Sequence, residues 1–338
     1  MIKYIIKRLL MLIPVLIGVS IIVFFLLRVC APDPATIYSG KFASAEDMQE
    51  WREANGLNDN IVVQYVNYVK DAVRGDFGDS YYTKTPVIEE IKERFPATIE
   101  IAVFAIIVAT VFGIIIGVIA AVKKNSIIDN ASMALSLVGV SIPIFWLGIL
   151  FIILFTKILK WLPASGRIDA ILRPEGGTGF YLIDTLSMGD VEAFMNTLWH
   201  LVLPGMTLAL YTLAIISRMT RSSMLDALNQ DYIRTARSKG ISEGKVIVKH
   251  GLRNAMMPIV TVIGLQFGSL LGGAVLTETV FQWPGIGKYA ADSITRSDFP
   301  VIQAVVLLIA IIFVLMNLIV DIIYAFLDPR IKYGKKES

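Results

Sequence analysis

Residues 101–122 read "IAVFAIIVATVFGIIIGVIAAV", 22 positions without a charged side chain. Crossing the hydrocarbon of a bilayer takes roughly 20 residues of α-helix. A helix also satisfies its backbone N–H and C=O groups internally, as hydrocarbon requires. This stretch therefore predicts a membrane-spanning helix. Five further uncharged runs predict the rest of a bundle: Leu9–Leu27, Ala131–Thr156, Thr197–Ser217, Ala255–Val275 and Val301–Val320. With 55% hydrophobic residues among 338, the chain is too apolar for an ordinary soluble domain. The fold expected is an all-α integral membrane protein with six transmembrane helices and both termini on one side.

Basic residues set the orientation. With the N-terminus in the cytosol, segments 1–8, 123–130, 218–255 and 328–338 lie inside and hold 17 Lys/Arg against 6 Asp/Glu; the remainder holds 14 against 22. This is the positive-inside asymmetry, and it places both termini in the cytosol. It also accounts for the basic segments without a nucleic-acid partner. The expected divisions are a cytosolic N-terminus with the first helix (1–29), an external helical subdomain (30–96), a five-helix core (97–327) carrying the cytosolic loop 218–255, and a cytosolic tail (328–338). The first apolar run is too long for a secretory signal, and "RVCAPDP" lacks a small-residue cleavage pattern, so an uncleaved first span is expected. The single cysteine, Cys30, excludes an internal disulfide.

Outside the membrane, "SAEDMQEWREANG" (44–56) predicts a helix capped reciprocally by Ser44 and Asp47 and stopped at Gly56. "NIVVQYVNYVKDAV" (60–73) has helical spacing of apolar residues, and "VIEEIKERFP" predicts a short helix ended by Pro96. A second external loop, Leu159 to Met195, is broken by Pro163, Gly166, Pro174 and "GGTG". A third runs from Glu278 to Pro300. In it, Trp283 suits an interfacial aromatic belt, and Pro284-Gly285 forces a tight turn. Phe281, Trp283, Pro284 and Gly285 are read either as an outer plug dipping toward the spans or as an interfacial anchor.

The cytosolic stretch "DYIRTARSKGISEGKVIVKHGLRNAMMP" (231–258) is the most basic internal segment. Asp231 is the expected N-cap of a two-turn helix, Gly240 its left-handed stop, and Ser242 the cap of a second helix. Tyr232, Ala236 and Gly240 recur every four residues, so they share a face that would let another backbone approach closely. Arg234 and Arg237 form a separate cationic edge able to pair with acids. So short a helix needs a docking surface to be stable. Attraction to anionic lipid explains the charge as well, at about 1 kcal/mol per basic residue, but not the small-residue face.

Several chemistries find no support. "GISEGKV" has three residues between its glycines and Val246 after the lysine, so it is not a phosphate-binding loop. The two histidines, His200 and His250, lie fifty residues apart in sequence and form no metal-ligand pattern. No nucleophile–base pair is apparent. Two acids fall within or beside spans: Glu100 at the outer entrance of the second and Asp321 near the inner end of the sixth. Both are read as structural, solvated or packed against a partner, rather than as proton carriers. In the fifth span, Gln266, Ser269 and Gly272 or Gly273 share a polar, small-residue face that suits a translocation path or close helix packing.

The loop resembles the cytoplasmic signature loop of permease subunits in ATP-binding-cassette importers. Ala236, Gly240 and Leu252 match its general form; the triplet's Glu is Arg234 here, so no salt bridge is assigned to that position. "DYIRTARSKG…LRNAMMP" is similar almost throughout to the dipeptide/oligopeptide/nickel branch, as are "GDFGDS", "RFPATIEIA", "ETVFQWPGIGKY", "DIIYAFLDPRIKYG" and, in the first span, "YIIKRLLMLIPVLIGVSIIVF". The resemblance implies a type I importer permease in a bacterial or archaeal plasma membrane. Its implied partners are a second homologous permease, two cytosolic ATPases that use ATP and Mg, and an extracytoplasmic substrate-binding protein. This chain would be a transport subunit binding no cofactor and no metal. The expected cargo is peptide, with nickel, glutathione or another small solute as the alternative; an ATP-independent secondary carrier is a more distant one. Tyr232, Arg234, Thr235, Ala236, Arg237, Lys239, Gly240 and Ser242 would couple to the ATPases. The fifth span would stand beside the path, and 281–285 would form the outer gate.

Overall fold

The computed structural model describes residues 2–30, 33–39 and 44–327. The 328–338 tail lies outside the described residues, as do the side chains of Cys30 and Asp321. The chain begins with α1 (Ile2–Cys30), followed by three short helices, α2 (Pro34–Ser39), α3 (Ala45–Ala54) and α4 (Ile61–Val73). Ser44 and Asp47 form the expected reciprocal cap of α3, and Gly56 closes it at φ +64°. Asn60 caps α4. Tyr65 and Tyr68 of α4 meet Phe24 of α1, and the Tyr65 hydroxyl lies 2.8 Å from that of Ser20. The short helix α4 is thus seated on the C-terminal half of α1.

The next helix, α5, runs unbroken from Val87 to Val122. The separate helix expected to end at Pro96 is therefore its first part. Proline removes one helical hydrogen bond, but Val87 and Ile91 are buried against Ile286, Tyr289, Val301 and Val305, and that packing holds the first turns in line. Tertiary burial outweighs the local break.

The third span departs further from expectation. Instead of one helix over 131–156, α6 (Ile127–Ser141) and α7 (Ile144–Phe151), continued by a π-helical turn to Ile158, meet at 103°. Pro143 starts the second limb, where its missing N–H costs nothing, and it holds Ile142 in extended backbone.

After a 3₁₀ turn (Ala170–Leu172) come α8 (Tyr181–Ser187) and α9 (Val191–Leu228), then α10 (Asp231–Ser238). A short α11 (Glu243–Lys245) leads through a π-helical segment (Val246–Leu252) directly into α12 (Arg253–Gly273). α13 (Val275–Val280), α14 (Ile286–Arg296) and α15 (Phe299–Leu327) complete the chain. Five helices are long and apolar enough to cross a membrane, and the α6–α7 pair makes a sixth if counted as one broken span. This is a multi-pass membrane protein.

At the centre stand α5 and α9. Ala97, Ile101, Ala102, Ala105 and Ala109 of α5 meet Leu201, Leu208, Ala209 and Ile216 of α9 in one buried cluster. Gly113 and Gly117 bring the two backbones close. A Cβ on Gly117 would stand 2.5 Å from Thr220 Cβ and 2.6 Å from Ser217 O. Polar links lock the ends. Glu100 of α5, buried rather than solvated, takes two bonds from Arg167 (2.9 and 2.6 Å) and one from the Leu182 amide (3.0 Å). Asp129 of α6 takes two from Arg221 of α9 (2.5 and 2.7 Å), fixing the 123–130 loop.

Gly117→Ala is expected to force α5 from α9 at a cost of about 1–3 kcal/mol, read as a lower unfolding midpoint in detergent. Gly139→Ala, whose Cβ would sit 3.6 Å from Ala214, is the paired control and should leave the midpoint unchanged.

Candidate functional site

Two features stand at opposite ends of the continuous helix from Glu243 to Gly273: the basic loop before it and the 281–285 turn after it. In the loop, α10 forms as expected, and Gly240 takes the left-handed conformation at φ +74°. The N-cap is Gln230 rather than Asp231. Gln230 is extended and makes no side-chain cap bond, while the Asp231 carboxylate lies 3.7 Å from Arg234. Ser242 sits at the N-cap of the next helix, also without a side-chain cap bond.

The face of α10 turned inward is set by Ile233. Ile233 and Ala236, three apart, are buried against Val246, with Leu228 and Ile241 beside them. Ala236 therefore packs within this chain and does not share an open face with Tyr232 and Gly240. Those two are exposed, and a Cβ at Gly240 would meet nothing within 4 Å. Spacing by fours had passed over Ile233, the one strongly apolar residue between them. Arg237 is also committed at home: its Nη2 and Nε donate to Glu243 at 2.5 and 3.1 Å, which raises its pKa above the usual guanidinium value. Tyr232, Arg234, Thr235, Lys239, Gly240 and Ser242 remain on the outside.

At the other end, Phe281, Trp283 and Gly285 of the 281–285 turn are buried in the helix bundle, while Gln282 and Pro284 are exposed. Trp283 is fully buried in the cluster that α5 and α9 share, and its indole N–H donates to the Ala97 carbonyl at 2.8 Å. It is therefore not an interfacial anchor. A paired indole N–H removes the polar cost of burying the ring. Phe281 is equally buried and stands against Gly148 of α7, and its carbonyl accepts from Gly166 at 3.0 Å. Gln282 carries the bend at φ +49°, and Pro284 is exposed.

The residue that organises this turn is one the sequence reading passed over. Glu278 has no exposed surface. Its carboxylate accepts from Thr98 Oγ1 (2.7 Å) and from the Lys288 amide (2.8 Å), with the Gly287 amide adding a third bond. The same Thr98 hydroxyl accepts from the Ile286 amide at 2.8 Å. Burial pushes the Glu278 carboxyl above its ordinary range, and these hydrogen bonds oppose the shift. Gly285 is glycine because a Cβ would overlap that carboxylate, and at Gly287 a Cβ would meet Val275 Cα at 2.7 Å. An acid three residues past an uncharged run, followed by glycines at 285 and 287, was the available signal.

The α12 face divides. Ser269 is exposed and Gln266 half-buried, whereas Gly272 turns toward α15, where a Cβ would stand 3.4 Å from Ile309. Gly273 ends the helix. Gly272 thus serves helix packing, and an open polar face is left to Ser269 and Gln266.

Comparison with known proteins follows this geometry. Residues 113–333 match the family described as "Binding-protein-dependent transport system inner membrane component", and residues 1–102 match the N-terminal model of the same kind of membrane component. The chain is 47% identical over 333 residues to a dipeptide transport system permease protein of Alkalihalophilus pseudofirmus, covering 98% of this chain and all of that one. It is 45% identical to a di/tripeptide transport system permease protein of Pseudomonas aeruginosa and 44% identical to the dipeptide transport system permease protein of Escherichia coli, each over 99% of this chain and all of the relative. The chain belongs to the family of inner-membrane components of binding-protein-dependent transport systems.

Proposed function

We propose that this chain is the permease subunit of an ATP-driven peptide importer and forms half of the translocation path. The observation that carries the reading is similarity at 44–47% identity over the whole length of relatives named as dipeptide or di/tripeptide permeases. In this reading a second permease completes the path, an external binding protein delivers the peptide, and two cytosolic ATPases supply the force. Both termini and α10 lie in the cytosol of the cell that carries the importer in its plasma membrane. The exposed side of α10 from Tyr232 to Gly240 docks on an ATPase, and Ser269 and Gln266 face the path. Ile233 and Ala236, held by Val246, give α10 its seat on this subunit. Moving an inward/outward equilibrium from 1:99 to 99:1 takes about 5.5 kcal/mol. Rigid seating is therefore what the loop must provide.

The reading is tested by reconstituting the permease with its partner permease, ATPases and binding protein in proteoliposomes and measuring labelled dipeptide uptake. ATP-dependent uptake is expected; uptake driven by an ion gradient through this subunit alone would overturn it. Within that assay, Gly240→Trp should lower peptide taken up per ATP hydrolysed by at least roughly tenfold, about 1.4 kcal/mol of lost coupling. Gly75→Trp is the control: Gly75 has φ +80° and open space around its would-be Cβ, as Gly240 does, but sits in the external segment. Equal uptake per ATP in both variants would refute docking through Gly240.

Ala236→Asp has a different expected outcome. It places a carboxylate among Ile233, Val246 and Ile241, at a cost of about 1–3 kcal/mol, so the loop itself should open. Limited trypsinolysis is expected to cut after Arg237 faster than in the parent. Ser242→Ala, which removes no side-chain cap bond, should leave the cleavage rate unchanged.

A further inference from the structure

Glu278 is a carboxylate with no exposed surface and, among the described residues, no cation within ion-pair distance. Its partners are donors only, and they lie on both sides of a seam. Thr98 belongs to α5, directly after Ala97, whose carbonyl holds Trp283, whereas the Gly287 and Lys288 amides belong to the first turn of α14. The Thr98 hydroxyl bridges the seam twice, donating to Glu278 and accepting from Ile286. Two clefts of about 250 and 350 Å³ flank the turn, and Gln282 and Pro284 stand in the walls of both.

A buried carboxyl held by neutral donors has two comfortable situations. One is the closed seam, with both carboxyl oxygens hydrogen-bonded; the other is an open seam in which water replaces those donors. Between them lies a dry, half-parted seam in which the carboxylate loses partners without gaining water, and that state is costly. An apolar seam would part gradually. A seam held by a buried carboxyl would part in a single step, once water from the flanking clefts enters.

We propose that Glu278, acting through Thr98, is a positioning residue that latches the Phe281–Gly285 turn into the bundle and makes opening of the outer mouth all-or-none. The proposal rests on the importer reading above. Leaving a buried acceptor without its donor shifts a two-state ratio by roughly ten- to a hundredfold. Losing the Thr98 hydroxyl should therefore raise the open fraction by about that factor.

The experiment measures ATP hydrolysis by the complete reconstituted importer with and without its binding protein. If the closed latch suppresses cycling until the binding protein arrives, Thr98→Val should raise the unstimulated rate at least about tenfold relative to the stimulated one, and Thr98→Ser should restore the parent ratio. A role in stability alone would lower the yield of assembled complex and leave that ratio unmoved. An assembled Thr98→Val complex with the parent ratio overturns the latch. Should Thr98→Val fail to assemble, Trp283→Phe, which keeps a ring but drops the bond to Ala97, is read the same way: a raised ratio supports the latch and an unchanged one overturns it. A parent complex with ATP-dependent uptake alongside an unmoved variant ratio sinks the latch alone, while a parent complex without ATP-dependent uptake sinks the importer reading on which it rests.

Discussion

The close approach of α5 and α9 is the constraint on which the rest of the molecule depends. Two helices of 36 and 38 residues can lie against each other through a membrane only where one side is nearly smooth. Ala97, Ala102, Ala105, Ala109, Gly113 and Gly117 supply that smoothness along one stripe of α5. In lipid there is little hydrophobic gain from helix association, so contact area and satisfied polar groups must hold the pair together. Larger residues on the stripe would part the helices, and the consequences would run outward. Trp283 would lose the pocket between them, Thr98 its register with Glu278, and Arg167 its reach to Glu100.

The buried charges follow from the same tightness and fall into two kinds. Glu100 with Arg167, and Asp129 with Arg221, are opposite charges with paired geometry; each ties a loop or neighbouring helix to an end of the central pair. Breaking either would strand a buried ion, the costly half of the ion-pair ledger. Glu278 is the other kind, held by a hydroxyl and backbone amides alone. Ion pairs of the first kind resist motion because neither partner is content without the other. A carboxylate of the second kind accepts water in place of its donors, so it stands where a seam is meant to part.

How much of this could be read from the chain follows from what each signal depends on. Uncharged runs identified the spans because hydrocarbon punishes every charge, whatever surrounds the helix. Ser44 with Asp47, and Gly240 at φ +74°, were legible because caps and left-handed stops are local chemistry. Pro96 misled because its local cost is overruled by packing between residues distant in sequence, Val87 and Ile91 against Val301 and Val305. For Trp283 the sequence leaves plug and anchor open, because it is a distant carbonyl, that of Ala97, that receives its N–H and holds the ring inside. The break at Ile142–Pro143 was hidden inside a hydrophobic run, because hydropathy reports composition and not direction. On α10, Ile233 was in plain view, but the four-residue spacing of Tyr232, Ala236 and Gly240 drew attention away from the apolar i, i+3 pair that seats the helix.

That seat bears on how the two candidate sites communicate. From Glu243 to Gly273 the backbone is helical without interruption, about 45 Å at 1.5 Å per residue. The basic loop and the latched turn are therefore the two ends of one rod. Val246 is buried beneath Ile233 and Ala236 at one end, and a Cβ on Gly287 would press on Val275 just past the other. A displacement of α10 can be absorbed along the rod in the π-helical turn at Val246–Leu252, immediately beside the loop, and at Pro258 shortly after it, where the helix lacks one hydrogen bond. A wider turn at Val246–Leu252 lets the rod change its angle to the loop without breaking hydrogen bonds in the membrane, where each broken bond is most expensive. Flexibility is thus confined to the end where an ATPase would push, and stiffness to the length along which the push would travel. That division of one helix into a compliant joint and a rigid shaft is what so short an element as α10 would need to act on the far end of the rod.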